Sequence, residues 1–176
     1  MRIILADIIS LEQYLEILKT PQECRPACCP ACGINGLWSH GSYYRKPDRS
    51  PEGTLNPILI LRFMCPHCRK THSVLPECIS PQRWYPWFIQ QAVLIGLLAR
   101  NSLRRLSQTL GPGRSTCKRW WGSLKNTFLP KAAALRALIS DLGRHPAFED
   151  FWQECLKLMP LGKAMRLCHE QGVQIP

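Results

Sequence analysis

The chain has 176 residues, 45% of them apolar and 20% charged, with a formal net charge of +11. That balance reads as globular rather than disordered and suits one hydrophobic core or two small modules, one of them stapled by a metal. The longest apolar stretch, Phe88 to Ala99, is broken by Gln90 and Gln91 and is far too short to span a bilayer; with no secretory signal at the opening, a soluble cytoplasmic protein with no membrane partner is expected.

In chain order, Arg2 to Ile9 is a short β-branched run that reads as a strand. Ser10-Leu11-Glu12-Gln13 matches a capping box and starts a helix, which Pro21 stops. Cys24 to Pro81 is rich in Pro, Gly, Cys and aromatics. Within it Trp38 to Lys46 and Ile58 to Met64 read as strands, with a polar loop between them. The pattern then turns helical: Trp87 to Arg100, Ser102 to Leu110, and Arg114 to about Thr127, with Gly111-Pro112-Gly113 as a turn. Further helical stretches follow near Lys131–Leu142, Pro146–Leu158 and Leu161–Glu170. The expected fold class is α+β: an N-terminal zinc ribbon built on a β-hairpin, then a helical helix-turn-helix domain and C-terminal helices. The boundaries are 1–23 for the first strand and helix, 24–81 for the ribbon, 82–130 for the helix-turn-helix and 131–176 for the C-terminal helices.

Ten cysteines in a chain read as intracellular point to metal rather than disulfides. Cys29-Pro-Ala-Cys32-Gly33 and Cys65-Pro-His-Cys68, with 32 residues between Cys32 and Cys65, lie at the two ends of the hairpin. A C-x-x-C turn aims both sulfurs at one centre, and Gly33 tolerates the positive φ such turns often need. Two turns complete a closed tetrahedral site, which argues for structural Zn2+ and against metal catalysis. Cys24, Cys28, His67, His72 and Cys78 lie close enough in sequence to replace a ligand, and a redox C-x-x-C is the lesser alternative.

The positive charge is concentrated in the middle of the chain. Ile79 to Lys131 carries nine basic residues and no acidic one, whereas the stretch after it has five of each. A polyanion would be met there; the plainer reading is a solvated basic face. Leu103 to Trp121 fits a helix-turn-helix in which Leu106 and Leu110 face inward, Ser107 is small where the helices cross, and Cys117, Trp120, Trp121 and Leu124 face the core. The opposite side then presents Arg114, Ser115, Lys118, Arg119 and Lys125, with Arg100, Arg104 and Arg105 toward the DNA backbone. Arg suits guanine edges, and Ser and Lys suit phosphates. The alternative is an ordinary helical hairpin with basic solvent-facing residues. Pro112 departs from the pattern, standing where such turns usually carry an aliphatic residue.

Cys29-Pro-x-Cys-Gly33, then Leu37-Trp38-x-His40-Gly41-Ser42-Tyr43-x-Arg45, then Ile60-x-Arg62-Phe63-x-Cys65-x-x-Cys68-x-x-Thr71-x-Ser73-x-Leu75-Pro76 resembles the zinc ribbon of bacterial transposase-related proteins. It is similar to the N-terminal region of ISL3-type transposases, and closer to small mobile-element proteins of unknown function in which a ribbon precedes a helix-turn-helix. The resemblance covers about Ser10 to Leu124. It implies double-stranded DNA as partner, at transposon ends or a regulatory site in the nucleoid, with a transposase or other element-encoded protein as a second partner. It does not carry over an enzyme. Such transposases continue into a domain with three catalytic carboxylates on a ribonuclease-H-like sheet, and here only Asp141, Glu149, Asp150, Glu154 and Glu170 follow, in helical stretches. His40 reads as a hairpin-packing residue, and Tyr43, Arg45 and Arg62 as phosphate contacts or plain exposed strand residues.

The expected function is therefore non-catalytic, sequence-specific DNA binding by a mobile-element accessory factor or regulator. The competing readings are a protein–protein adaptor and a remnant transposase or nuclease. For the adaptor, the charge-balanced segment with Phe148, Phe151, Trp152, Leu156 and Leu158 suits docking or a homodimer, and equally suits a core lid.

Overall fold

The computed structural model describes residues 2–48, 52–81, 85–173 and 175. The chain forms two compact units, Met1–Tyr85 and Pro86–Pro176. The described residues make a mixed α+β structure with one four-stranded sheet and seven α-helices.

The first unit holds β1 (Arg2–Leu5), α1 (Leu11–Ile17), β2 (Trp38–Arg45), β3 (Ile58–Met64) and β4 (Thr71–Pro76). The capping box at the start of α1 is complete: Ser10 Oγ accepts from the Gln13 amide at 3.2 Å, and Gln13 Oε1 accepts from the Ser10 amide at 3.2 Å. The sheet order is β1-β4-β3-β2. β2, β3 and β4 run antiparallel in succession, and β1 lies parallel to β4 with Ile3 beside Val74. The opening strand is thus an edge strand of the same sheet as the hairpin, and β4 is a strand the sequence pattern did not announce.

Successive residues of a strand point to opposite faces, so this sheet builds a core on each side. Leu75, Ile58 and Ile60 pack with Tyr14 and Ile79 on the face covered by α1. Val74 and Phe63 pack with Leu37, Cys29 and Cys65 on the other. The second cluster is small, and two of its five buried members are cysteines.

The second unit holds α2 (Trp87–Leu98), α3 (Leu103–Leu110), α4 (Arg114–Asn126), α5 (Phe128–Leu138), a 3-10 turn over Ser140–Arg144, α6 (Phe148–Leu158) and α7 (Leu161–Glu170). Pro130 falls in the first turn of α5, where its missing N–H has no helical partner to lose. Phe128, Phe148, Phe151 and Trp152 form a chain of edge-on ring contacts at 5.3–5.4 Å between α5 and α6. Among the described residues no helix is long and apolar enough to cross a membrane.

Candidate metal centre and basic helical face

The two C-x-x-C segments fold into matching turns. In the first, the amides of Cys32 and Gly33 donate to the Cys29 carbonyl at 3.3 and 2.8 Å, and Gly33 sits at φ 73°. In the second, the Arg69 amide donates to the Cys65 carbonyl at 3.0 Å, and Arg69 itself takes φ 57°. The glycine is expected from its conformational freedom; the second turn accepts the strain of a side chain instead.

The turns bring Cys29, Cys32, Cys65 and Cys68 together, with all four Sγ atoms within 4.8 Å of one another. Cys29 and Cys68 are 3.7 Å apart, Cys32 and Cys65 3.6 Å. A tetrahedron of sulfurs at ~2.3 Å from a central zinc has edges of about 3.8 Å, whereas a disulfide would bring sulfurs to about 2 Å. All four thiols are free. The donor set and its spacing therefore fit a zinc-type metal site. Cys24, Cys28, His67 and Cys78 stand outside this cluster.

Local electrostatics also suit a cation. The amides of Cys68 and then His67 point at the Cys65 sulfur and lower its pKa to about 6. Cys32 goes the other way, up to about 12: the Ile34 amide favours its thiolate, but desolvation and the three neighbouring sulfurs outweigh it. Four thiolates cannot share so small a volume unaided, and a bound dication removes that repulsion.

His72, named in the sequence reading only as a substitute ligand, has a different place. It is buried on β4, with Nε2 3.3 Å from the Cys29 sulfur and Nδ1 without a hydrogen-bond partner. Desolvation by burial lowers its pKa, which favours the neutral ring beside the Cys29 sulfur. Such a contact orients a metal-ligating side chain from behind. The sequence carried a signal for it: alternation along β4 puts His72 on the same face as Val74, toward the cysteines.

Of the ribbon residues singled out in sequence, His40 and Tyr43 are exposed on β2, an edge strand, and Arg62 is half-buried on β3. Arg45 is not free to meet phosphate: its guanidinium donates to the Ser80 carbonyl at 2.6 Å, and burial lowers its pKa.

In the second unit, α2, α3 and α4 pack on one another. Ser102 caps α3 by accepting from the Arg105 amide at 3.2 Å, and Gly111 turns the chain at φ 91°. Leu106 is buried and Leu110 half-buried; Cys117, Trp120 and Leu124 are buried, while Trp121 is half-buried with its ring edge-on to Phe148 at 5.1 Å. Pro112 takes the place of an aliphatic residue by being buried itself, and its carbonyl accepts from the Cys117 thiol at 3.6 Å.

Arg100, Arg104, Arg105, Arg114, Ser115, Lys118 and Arg119 are all exposed. Among the described residues no carboxylate pairs with any of the six cations. Lys125 differs: its ammonium lies 3.7 Å from Glu149 and over the rings of Trp121 and Phe148, at 5.0 and 5.4 Å. Its charge is engaged within the unit. The acidic residues of the C-terminal stretch are likewise dispersed, Asp141 on Arg144, Glu154 on Lys157 and Glu170 on Arg166.

Searches of curated proteins and of solved structures find no match. A family model described as a domain of unknown function, DUF6431, matches residues 29–120. That span runs from the first clustered cysteine through the basic face of α4 and covers more than half of the chain, and the protein therefore belongs to the DUF6431 family.

Proposed function

We propose that this protein binds double-stranded DNA, without catalysis, as an accessory factor or regulator of a mobile element. In this reading Met1–Tyr85 is a zinc ribbon whose Zn2+ is structural, and α3, the Gly111-Pro112-Gly113 turn and α4 are a helix-turn-helix. The observation that carries the proposal is the run of six exposed, carboxylate-free cations from Arg100 to Arg119, in a stretch with no acidic residue from Ile79 to Lys131. α4 is apolar on its buried side and carries Arg114, Ser115, Lys118 and Arg119 on the other, as a helix lying in a major groove would need. The spacing of the four sulfurs supports zinc, whose binding would supply folding energy to a module with a small core. The resemblance to mobile-element ribbons supports the setting, and the genes beside this one are its simplest check. The dispersal of Asp141, Glu149, Glu154 and Glu170 into separate ion pairs favours binding over a two-metal nuclease, which needs converging carboxylates.

The test is a fluorescence titration against duplex DNA, followed by selection of bound sequences from a random pool. If four phosphates are neutralised, raising salt from 50 to 200 mM weakens binding roughly 150-fold. No binding at low salt, or binding indifferent to salt, defeats the proposal.

A further inference from the structure

None of the four strands of the first unit carries an acidic residue, while Arg2, Arg45 and Arg62 bring positive charge to them. The register sorts these side chains by face. Residues directly opposite each other on neighbouring strands share a face, so Arg2 beside Ser73, and Ser73 beside Arg62, form a row across β1, β4 and β3. On β2, Trp38 lies beside Met64 and Tyr43 beside Ile60. Ile60, Arg62 and Met64 alternate along β3, so the two rings and the two arginines stand on one side of the sheet.

This is the side that α1 packs on, and the helix covers only part of it. Ile58, Ile60 and Leu75 are buried in the core beneath α1, whereas Arg62, Met64 and Ser73 are half-buried. Beyond them, on the edge strand, Trp38 is 60% exposed and Tyr43 38% exposed. The two rings are about 14 Å apart along the strand, with Arg62 between them on the next strand. Among the described residues no ion pair engages Arg62. The cysteine cluster pins this end of the sheet, because Met64 precedes Cys65 and Trp38 follows the buried Leu37.

We propose that this end of the sheet binds an unpaired strand of DNA: bases stack on Trp38 and Tyr43, and Arg62, with Arg2 in the same row, draws the phosphates. An indole left mostly in water beside a cation contributes little to a core and offers a stacking surface. Ser39, His40, Gly41 and Ser42 separate the rings, so β2 lacks the continuous apolar patch that a protein partner would bury. Strands without carboxylates favour a polyanion. A duplex keeps its bases stacked on one another, so the exposed rings select a single strand. The choice of DNA over RNA rests on the duplex-DNA reading of α4.

Fluorescence anisotropy of a labelled oligothymidylate of about 12 nucleotides, titrated with the zinc-loaded full chain, tests this. Wild type should bind it, with an affinity that falls as salt is raised. Trp38→Ala should weaken this binding roughly fivefold or more while leaving duplex binding within about twofold, and Tyr43→Ala and Arg62→Ala should each weaken it as well. Tyr44→Ala, on the opposite face of the same strand, should leave it unchanged. Circular dichroism and zinc content check that each variant is folded; should Arg62→Ala misfold, Trp38→Ala decides, since its ring stands mostly in solvent. No binding of the oligothymidylate at about 100 μM protein, undiminished binding in folded Trp38→Ala, an equal loss in Tyr44→Ala, or an oligouridylate bound roughly tenfold tighter overturns the proposal. A wild type that binds the oligothymidylate through Trp38 but binds no duplex overturns the reading of α4 and leaves this site standing.

Discussion

Leu106 occupies the space a side chain at Gly96 would need: a Cβ at position 96 would overlap Leu106 Cδ2. α2 and α3 approach so closely only because one of them carries a hydrogen there. Gly96→Val should therefore destabilise the second unit by about 2 kcal/mol, the usual cost of overpacking. Adding Leu106→Ala should cost less than the two changes measured separately, because the cavity of one accommodates the bulk of the other. Urea unfolding of the four proteins measures the coupling, and strict additivity would show that the contact is not the cause.

Metal removal should divide the chain along its two units. A strong chelator, or Cys65→Ser, is expected to melt the β structure of Met1–Tyr85 and leave the helices of Pro86–Pro176 folded. Helical ellipticity retained while the Trp38 environment changes would be the signature. Zinc analysis of the purified protein should give one ion per chain.

The His72 contact predicts a second effect on the same centre. His72→Phe removes the imidazole contact with Cys29 and should weaken metal affinity by roughly 10- to 100-fold. Cobalt substitution makes this visible, since the sulfur-to-cobalt charge-transfer bands should shift in the variant. Unchanged affinity and an unchanged spectrum would mean that the imidazole only fills space.

On the basic face, Lys118→Ala and Arg119→Ala should each weaken DNA binding several-fold and lower the salt slope by about one. Lys125→Ala should do neither, because its ammonium is held by Glu149, Trp121 and Phe148. It should instead cost stability. Equal losses at all three positions in the DNA titration would remove the distinction drawn between them.

The second unit should be labile in alkali. Burial raises the thiol of Cys155 to about 12 and that of Cys168 to about 11, above the ordinary thiol value of about 9. The folded state keeps both protonated where the unfolded chain would ionise them, so this stability is full below pH 9 and is lost as pH rises through 11 to 12. By pH 10.5 the loss is about 2 kcal/mol per thiol. Thermal melts of wild type should fall steeply between pH 8 and 10.5, and the Cys155→Ala/Cys168→Ala double variant should show a flatter profile, whatever its absolute stability.

Local chemistry was legible in the sequence and distant pairing was not. The Ser10–Gln13 capping box, the four clustered cysteines and the turn at Gly111 depend on neighbours a few residues away, and each is spelled out by residue type and spacing. β4 is six residues long and ends in Pro76, and its parallel partner lies at the other end of the unit, so nothing nearby announces it. The place of His72 beside Cys29 is hidden in the sequence for the same reason, because its direction is set by β4. Lys125 shares its residue type and helical face with its neighbours on α4, and only Glu149 across from it sets it apart; the need for glycine at position 96 likewise comes from Leu106, ten residues away on the next helix.

The parallel pairing of Arg2 with Ser73 and Leu5 with Pro76 has a consequence for how the protein is made. The first strand leaves the ribosome about 70 residues before its partner, and closing so long a loop slows folding. A metal ion that ties Cys29 and Cys32 to Cys65 and Cys68 shortens that loop just as β4 emerges. Zinc supply would then set the rate at which the first unit matures as well as its final stability, and a metal-starved cell would accumulate chains whose opening strand has nowhere to dock.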